Sequence, residues 1–323
     1  LRKLTSKAFL AEAIGTATVV DGRHWVMSPR QRGQLDIEMG TTKKTLSRII
    51  AFVDEKHLPL GARIAELGTQ NLWCAADAAV QFLRFFQERG ARVSMTEAEA
   101  MSVANGGYLG ALLSGVGFDY TAFDIFEAPN TRLMDLNIHF VPSDLQSKFD
   151  LVTNYGTTEH VLNQMLAMRS VHDLAKPGGL IHHDLPFGGY YLHCYFKYNP
   201  GVFHDLATAN GYRVIFQEIS SGKWRQTPSA LREKGFEDSK FRDYGIEIVF
   251  QKTADASFRI PVDNISSAVV SEAAWTSGEN NLAVSPVLPV DPKTLLARMP
   301  FRTVHVAYWS RVKDLIFDFG FRR

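Results

Sequence analysis

Along residues 42–252 the hydrophobic positions switch repeatedly between a period near 3.6 and a period near two, which are the signatures of helix and strand. Leu46, Ile49, Ile50 and Val53 recur at i, i+3, i+4 and i+7, so 42–57 reads as an amphipathic helix, stopped by Pro59 and Gly61. Arg63 to Leu67 reads as a strand with Gly68 as its exit turn. An Ala-rich helix follows over 74–89, with Val80, Leu83 and Phe86 on one side and Gly90 as the stop. Thr96-Glu97-Ala98-Glu99 opens another helix, with acids at the positive end of its dipole, and Gly106-Gly107 breaks it. Tyr120 to Ile125 and Thr131 to Leu136 are further strands. Phe149 to Val152 is an apolar strand running into a polar tip, Asn154 to His160. A helix over Thr158 to Ala175 then carries Val161, Leu162, Met165, Met168, Val171 and Leu174 on one stripe. Lys176-Pro177-Gly178-Gly179 turns the chain into a strand, Leu180 to Leu185. Asn199-Pro200 starts a helix that Asn210-Gly211 ends, and Tyr212 to Ile219 and Ile246 to Gln251 are late strands, separated by a polar segment of loop and short helix.

This alternation predicts an α/β chain. Its expected core is a Rossmann-like, doubly wound, mostly parallel sheet of seven strands with helices on both faces. The expected organisation is an N-terminal helical segment over 1–58, the sheet domain over 59–252, and a C-terminal appendage over 253–323. The appendage stands apart by its prolines (Pro261, Pro286, Pro289, Pro292), a Ser-rich middle and returning aromatics.

Composition narrows the classes. Apolar content of 46% and charged content of 21% are ordinary for a globular protein. A formal net charge of +1 supplies no field for collecting phosphate backbones, so nucleic acid is not an expected partner. Cys74 and Cys194 are the two cysteines and lie in no paired motif, which argues against a disulfide framework and a Cys-based zinc site and suits a reducing cytoplasm. No apolar run reaches the ~20 residues of a membrane span. The opening segment, with Leu1-Arg2-Lys3 before Ala8 to Ala11, has the outline of a secretory leader, but Glu12 interrupts it and no cleavage site follows.

In an open parallel sheet, ligands gather beyond the carboxyl ends of the strands. Four strand ends carry polar residues there. The first gives Glu66, then Gly68 and Gln70. The second gives Asp124, a carboxylate able to accept from both hydroxyls of a ribose. The third gives Asp135 and Leu136, suited to an exocyclic amine and the face of a base. The fourth gives Asn154, Tyr155 and Gly156. His160, His182, His183 and His193 are the histidines near these ends. His182 and His183 are adjacent on a strand and point to opposite faces. Glu159-His160 together with His182-His183-Asp184 offers nitrogen and oxygen ligands, but without a recognised metal spacing, so no metal is expected. The segment after the fifth strand is crowded with rings (Phe187, Tyr190, Tyr191, Tyr195, Phe196, Tyr198), and Gly188-Gly189 would let it move as a lid over an acceptor.

Taken in this order, the chain resembles the class I S-adenosylmethionine-dependent methyltransferases over roughly residues 60–252. The most specific part is Phe149-Asp150-Leu151-Val152 through Glu159-His160-Val161 to Leu174-Ala175-Lys176-Pro177-Gly178-Gly179-Leu180. The resemblance implies that Glu66, Gly68 and Gln70 hold the methionine end of S-adenosylmethionine, that Asp124 holds the ribose and Asp135 with Leu136 the adenine, and that Asn154 and Tyr155 line the reacting centre. Where the family usually has a second glycine in the first turn, this chain has Gln70. The separation of Gly68 from Asp124 also far exceeds the ~20 residues common in dinucleotide units, and an inserted helical piece over 96–115 accounts for it. The expected reaction is methyl transfer, O-directed, to a small molecule or saccharide, with His193, His183 or His160 as base. The alternatives are a non-catalytic scaffold that keeps the fold and a nicotinamide-dependent oxidoreductase, although Gly-x-Gly-x-x-Gly is absent. A homo-oligomer formed through the C-terminal appendage is a further expectation.

Overall fold

The computed structural model describes residues 18–20, 24–26, 41–191, 193–222, 224–228, 230 and 243–262. The helical pattern expected before residue 40, most of the segment between the late strands, and the appendage beyond 262 lie outside the described residues.

The described chain begins with an antiparallel hairpin, β1 (Thr18–Val20) and β2 (His24–Val26). A short strand β3 (Thr41–Thr42) leads into α1 (Lys43–Asp54), whose N-cap is Thr42, its side chain accepting from the backbone N–H of Lys44. Then come β4 (Arg63–Leu67), β5 (Asn71–Trp73) and α2 (Ala76–Glu88). The insertion follows as α3 (Glu97–Val103), β6 (Asn105–Tyr108) and α4 (Leu109–Gly115). Thr96 and Glu99 form a reciprocal capping box at the start of α3, satisfying two backbone donors that a helix end otherwise leaves orphaned. The next elements are β7 (Asp119–Asp124), β8 (Thr131–Leu133), β9 (Phe149–Tyr155), a 3₁₀ turn (Thr158–His160), α5 (Gln164–Leu174) and β10 (Ala175–Gly188). The last are α6 (Pro200–Asn210), β11 (Arg213–Ser221), β12 (Trp224–Gln226) and β13 (Tyr244–Gln251).

The main sheet runs β12-β11-β13-β10-β9-β4-β7-β8. β10, β9, β4, β7 and β8 are parallel, while β13 runs antiparallel between β10 and β11, so that β11 points the same way as the parallel set. Among the described residues this sheet has eight strands rather than the seven expected, because β12 turns back on the end of β11 as an edge ribbon. A small sheet, β3-β5-β6, sits beside the first turn. Strand order reverses between β4 and β9, so the crevice there is the switch point at which such sheets bind ligands.

Each face of the sheet has its own core. Leu46, Ile49 and Phe52 of α1, Phe82 and Phe86 of α2 and Leu109, Leu112 and Leu113 of α4 pack on Ile64, Tyr120, Ala122 and Leu151. On the other face Met168, Val171 and Leu174 of α5 and Phe203 and Leu206 of α6 pack on Leu67, Phe123, Phe149, Ile181, Ile248 and Phe250. Central strands buried on both faces read as continuous apolar runs, as Leu151-Val152 and Leu180-Ile181 do.

One expected boundary moves with functional consequence. The helix does not begin at Thr158. Asn163 accepts from the backbone N–H of Leu166 and caps α5 there. Gln164 Nε2 donates to the carbonyls of Thr158 and Val161, which holds the preceding 3₁₀ turn together. Glu159 and His160 therefore stand on a strand-end loop, not on a helix face.

Candidate functional site

Glu66 is the penultimate residue of β4 and is 1% exposed. Oε2 accepts from the Tyr120 hydroxyl at 2.5 Å and from the backbone N–H of Gln70 at 3.1 Å, while Oε1 has no partner. Burial pushes the carboxyl pKa up to about 8, against the lowering effect of those two hydrogen bonds. Tyr120 reaches Glu66 because α4 offers Gly110 beneath its ring, where a Cβ would lie 2.1 Å from Cε1. Gly68 makes the turn with φ of +72°, which favours glycine. A side chain there would also strike Thr157 Oγ1, which donates to the Leu67 carbonyl at 2.6 Å. Gln70 swings toward the same threonine, with Nε2 3.1 Å from Thr157 Oγ1.

Asp124, at the tip of β7, binds the first turn directly. Its Oδ2 accepts from the backbone N–H of Thr69 at 2.7 Å, and its Oδ1 accepts from those of Ile125 and Phe126. A carboxylate has about four lone-pair sites, so acceptor capacity remains. The backbone N–H of Met134 donates to the Asp124 carbonyl, which sets the tip of β8 beside that of β7. Asp135 folds into an Asx turn, Oδ1 accepting from the backbone and side-chain amides of Asn137. Leu136 is a core residue, packed with Met134, Val141 and Leu145.

At the tip of β9 the structure separates residues that the sequence grouped. Asn154 is fully buried. It accepts from the backbone N–H of Thr158, and its Nδ2 lies 2.8 Å from Thr158 Oγ1 and 2.9 Å from His183 Nδ1. Thr158 and Gln164 both meet the Tyr198 hydroxyl, completing a buried network that fixes the loop. His183 belongs to this core, between Phe203 and Phe250, and burial pushes its pKa down to about 3. His182 faces the opposite side, as alternation requires. Tyr155 Oη lies 2.7 Å from His182 Nδ1, and His182 Nε2 lies 3.0 Å from Glu247 Oε1. Arg48 and Lys44 of α1 pair with the same Glu247, and Lys44 also reaches Asp184. These cations and His182 hold the Glu247 carboxyl well below the usual range although burial opposes them. Tyr155 thus anchors a buried ionic network beneath α1.

The other two histidines come together. Glu159, 1% exposed, has an Oε2 with no partner. Burial pushes its pKa up to about 7. Its carbonyl accepts from the backbone N–H groups of Tyr195 and Phe196, which draws the segment after β10 over the 3₁₀ turn. His160 Nε2 lies 3.9 Å from Glu159 Oε1, and the His160 and His193 rings meet edge to face at 5.1 Å. The Tyr190 ring leans on His193. The aromatic segment itself divides. Tyr198 is buried and Phe187 and Phe196 pack on the core, while Tyr191 and Tyr195 stand exposed.

The structure therefore joins Glu66, Gly68, Gln70 and Asp124 in one turn system, sets Asp135 on the adjoining strand tip, unites His160 with His193, and places Asn154, Tyr155, Leu136 and His183 in packing positions. Sequence reasoning did not single out Tyr120 or Glu247, and it weighed Glu159 only as a metal ligand beside His160 and set that aside. Glu159 had one visible signal, its adjacency to His160.

Residues 104–238 match a family model described as a methyltransferase domain. The matched stretch takes in Asp124, Glu159, His160 and His193. Solved structures with a similar fold include the CMeT domain of the citrinin polyketide synthase, at 12% identity and a TM-score of 0.39 over 71% of this chain; the chain spans 58% of that domain's length. Burkholderia thailandensis 1,6-didemethyltoxoflavin-N1-methyltransferase matches at 12% identity and 0.38, over 74% of this chain and 99% of its own. Coclaurine N-methyltransferase matches at 11% and 0.35, over 65% and 71%. None of the curated proteins matches the chain. Among the described residues no helix is long and apolar enough to cross a membrane.

Proposed function

We propose that this domain methylates a hydroxyl of a small molecule or saccharide, with the acceptor oxygen seated against Glu159, His160 and His193. The observation that carries this reading is the presence of three proton-accepting groups on the loops after β9 and β10, one of them a buried carboxyl with a free oxygen. An alcohol must lose its proton as it attacks, so it needs such a group, whereas a neutral amine attacks without one. The donor end fits the residues present. Glu66 Oε1 is a buried oxygen with no hydrogen-bond partner, and the ammonium of a methionine moiety supplies a donor. Asp124 retains capacity for ribose hydroxyls. When bound, S-adenosylmethionine supplies an electrophilic methyl on sulfur; the chain's own part is to align the acceptor oxygen and take its proton.

The test combines calorimetry with S-adenosylhomocysteine and mass spectrometry of small-molecule extracts incubated with the protein and S-adenosylmethionine. A product heavier by one methyl group, borne on oxygen, is expected. Asp124→Ala should weaken S-adenosylhomocysteine binding tenfold or more, about 1.4 kcal/mol. A product methylated only on nitrogen or carbon would remove the O-directed reading. Absence of cofactor binding would leave a scaffold that keeps the sheet.

A further inference from the structure

We propose that Glu159, His160 and His193 form a binding site for one first-row divalent cation, a second role for the cluster that rests on the reading above only in what the cation does for the acceptor. One ligand atom from each residue lies within 4.8 Å of the others. The second observation is independent of that spacing: Glu159 is 1% exposed and its Oε2 has no hydrogen-bond partner. A buried carboxylate oxygen left alone costs free energy unless a donor or a cation meets it.

The local construction suits a cation. Glu159 is fixed by its place in the 3₁₀ turn and by the two backbone N–H groups that bind its carbonyl. His160 is exposed and His193 half-buried, and their rings meet each other rather than the anchored carboxylate, so side-chain rotation can bring both onto a cation. Metal–ligand bonds of about 2.0–2.2 Å require the ligand atoms to close by roughly an ångström, which is within the reach of two side-chain rotations. Two imidazoles and one carboxylate are a donor set for zinc, iron(II), cobalt(II) or manganese(II), and leave coordination positions open for an outside oxygen. An acceptor hydroxyl bound there has its pKa lowered by the ion. Its proton passes to solvent. The alkoxide forms a C–O bond with the sulfonium methyl, and the C–S electron pair returns to sulfur, leaving a neutral thioether. The ion is not consumed, and no oxidant or reductant is needed.

The test titrates Co²⁺ into the full chain, free of any affinity tag and without substrate, and reads the visible d–d absorption bands. Saturable binding of one Co²⁺ per chain is expected. His160→Ala, His193→Ala and Glu159→Gln should each weaken it by about 100-fold or more, since even outer-shell partners are worth 10–100-fold. Circular dichroism checks that each variant is folded. His204→Ala, an exposed histidine on α6, should bind as the parent does. Absence of saturable Co²⁺ binding by the folded parent, or binding retained by His160→Ala and His193→Ala, would overturn the site. Co²⁺ binding without methyl transfer would keep the site and remove the proposed reaction; methyl transfer unaffected by chelation would keep the reaction and remove the cation's part in it.

Discussion

Gly110→Ala is the sharpest perturbation available, because one methyl group reaches the donor end of the site through a single ring. The new Cβ would lie 2.1 Å from Tyr120 Cε1 and 2.4 Å from Cζ, where real Cβ contacts do not fall under 3.0 Å. The ring cannot drift freely. It is 6% exposed, and its hydroxyl is tied to Glu66 Oε2 at 2.5 Å. Overpacking of this kind costs about 1–3 kcal/mol. Breaking the hydrogen bond leaves a buried carboxyl with one donor fewer, a further ~1–3 kcal/mol. Against this stands the gain from replacing a helical glycine by alanine, at most ~1 kcal/mol. The clash wins, for a net loss of at least about 1 kcal/mol, or roughly 2–4 °C in Tm for a domain of this size. Thermal unfolding followed by circular dichroism measures it, and calorimetry with S-adenosylhomocysteine should show weaker binding as Glu66 shifts. In a Tyr120→Leu background the same substitution should cost much less, because the clashing ring is gone. A Gly110→Ala protein as stable as the parent would refute the argument, since it would mean that the ring gives way without cost.

Two further outcomes are expected. Glu66 has its pKa raised to about 8 from an ordinary value near 4.3, so the folded state holds a proton that the unfolded state releases. Its stabilising contribution is full below the unfolded value and is lost as pH rises toward 8. Glu66→Gln, which stays neutral, should flatten the decline in urea midpoint between about pH 5 and 8, and an identical pH slope in parent and variant would contradict the assignment. Lys252 is 2% exposed and donates to the carbonyls of His172 and Ala175 at the end of α5, each at 3.0 Å. Lys252→Met fills similar space but strands both acceptors, so urea unfolding should show a loss of about 2–4 kcal/mol; a change within ~0.5 kcal/mol, as at an ordinary surface position, would show that the carbonyls find water instead.

Most of the sheet was legible in the sequence because its signals are local. Arg63–Leu67 reads as a strand from its own five residues, and Asn199-Pro200 announces the start of α6 with a cap and a compatible first turn. The start of α5 was misplaced because the stripe Val161, Leu162, Met165 extends the helical period backward, while the decision belongs to Asn163 and to Gln164 bonding two carbonyls behind it. That shift hid the position of Glu159. The histidines show a second limit. Alternation correctly sets His182 and His183 on opposite faces, but whether a face is lined by Phe203 and Phe250 or opens toward a site depends on elements far along the chain. Tyr120 was unreadable for the same reason: its partner lies on β4, and the room for its ring is provided by Gly110 on an inserted helix.

The stretch after β13 sets how the protein should be cut for laboratory work. Arg259 and Asn210 exchange hydrogen bonds, the Ala256 carbonyl lies 2.6 Å from His172 Nε2, and Phe258 sinks among the aromatic side chains beneath α5. A fragment ended at Gln251, where the last strand stops, would lose this tie along with Lys252 and should come out of cells as aggregate.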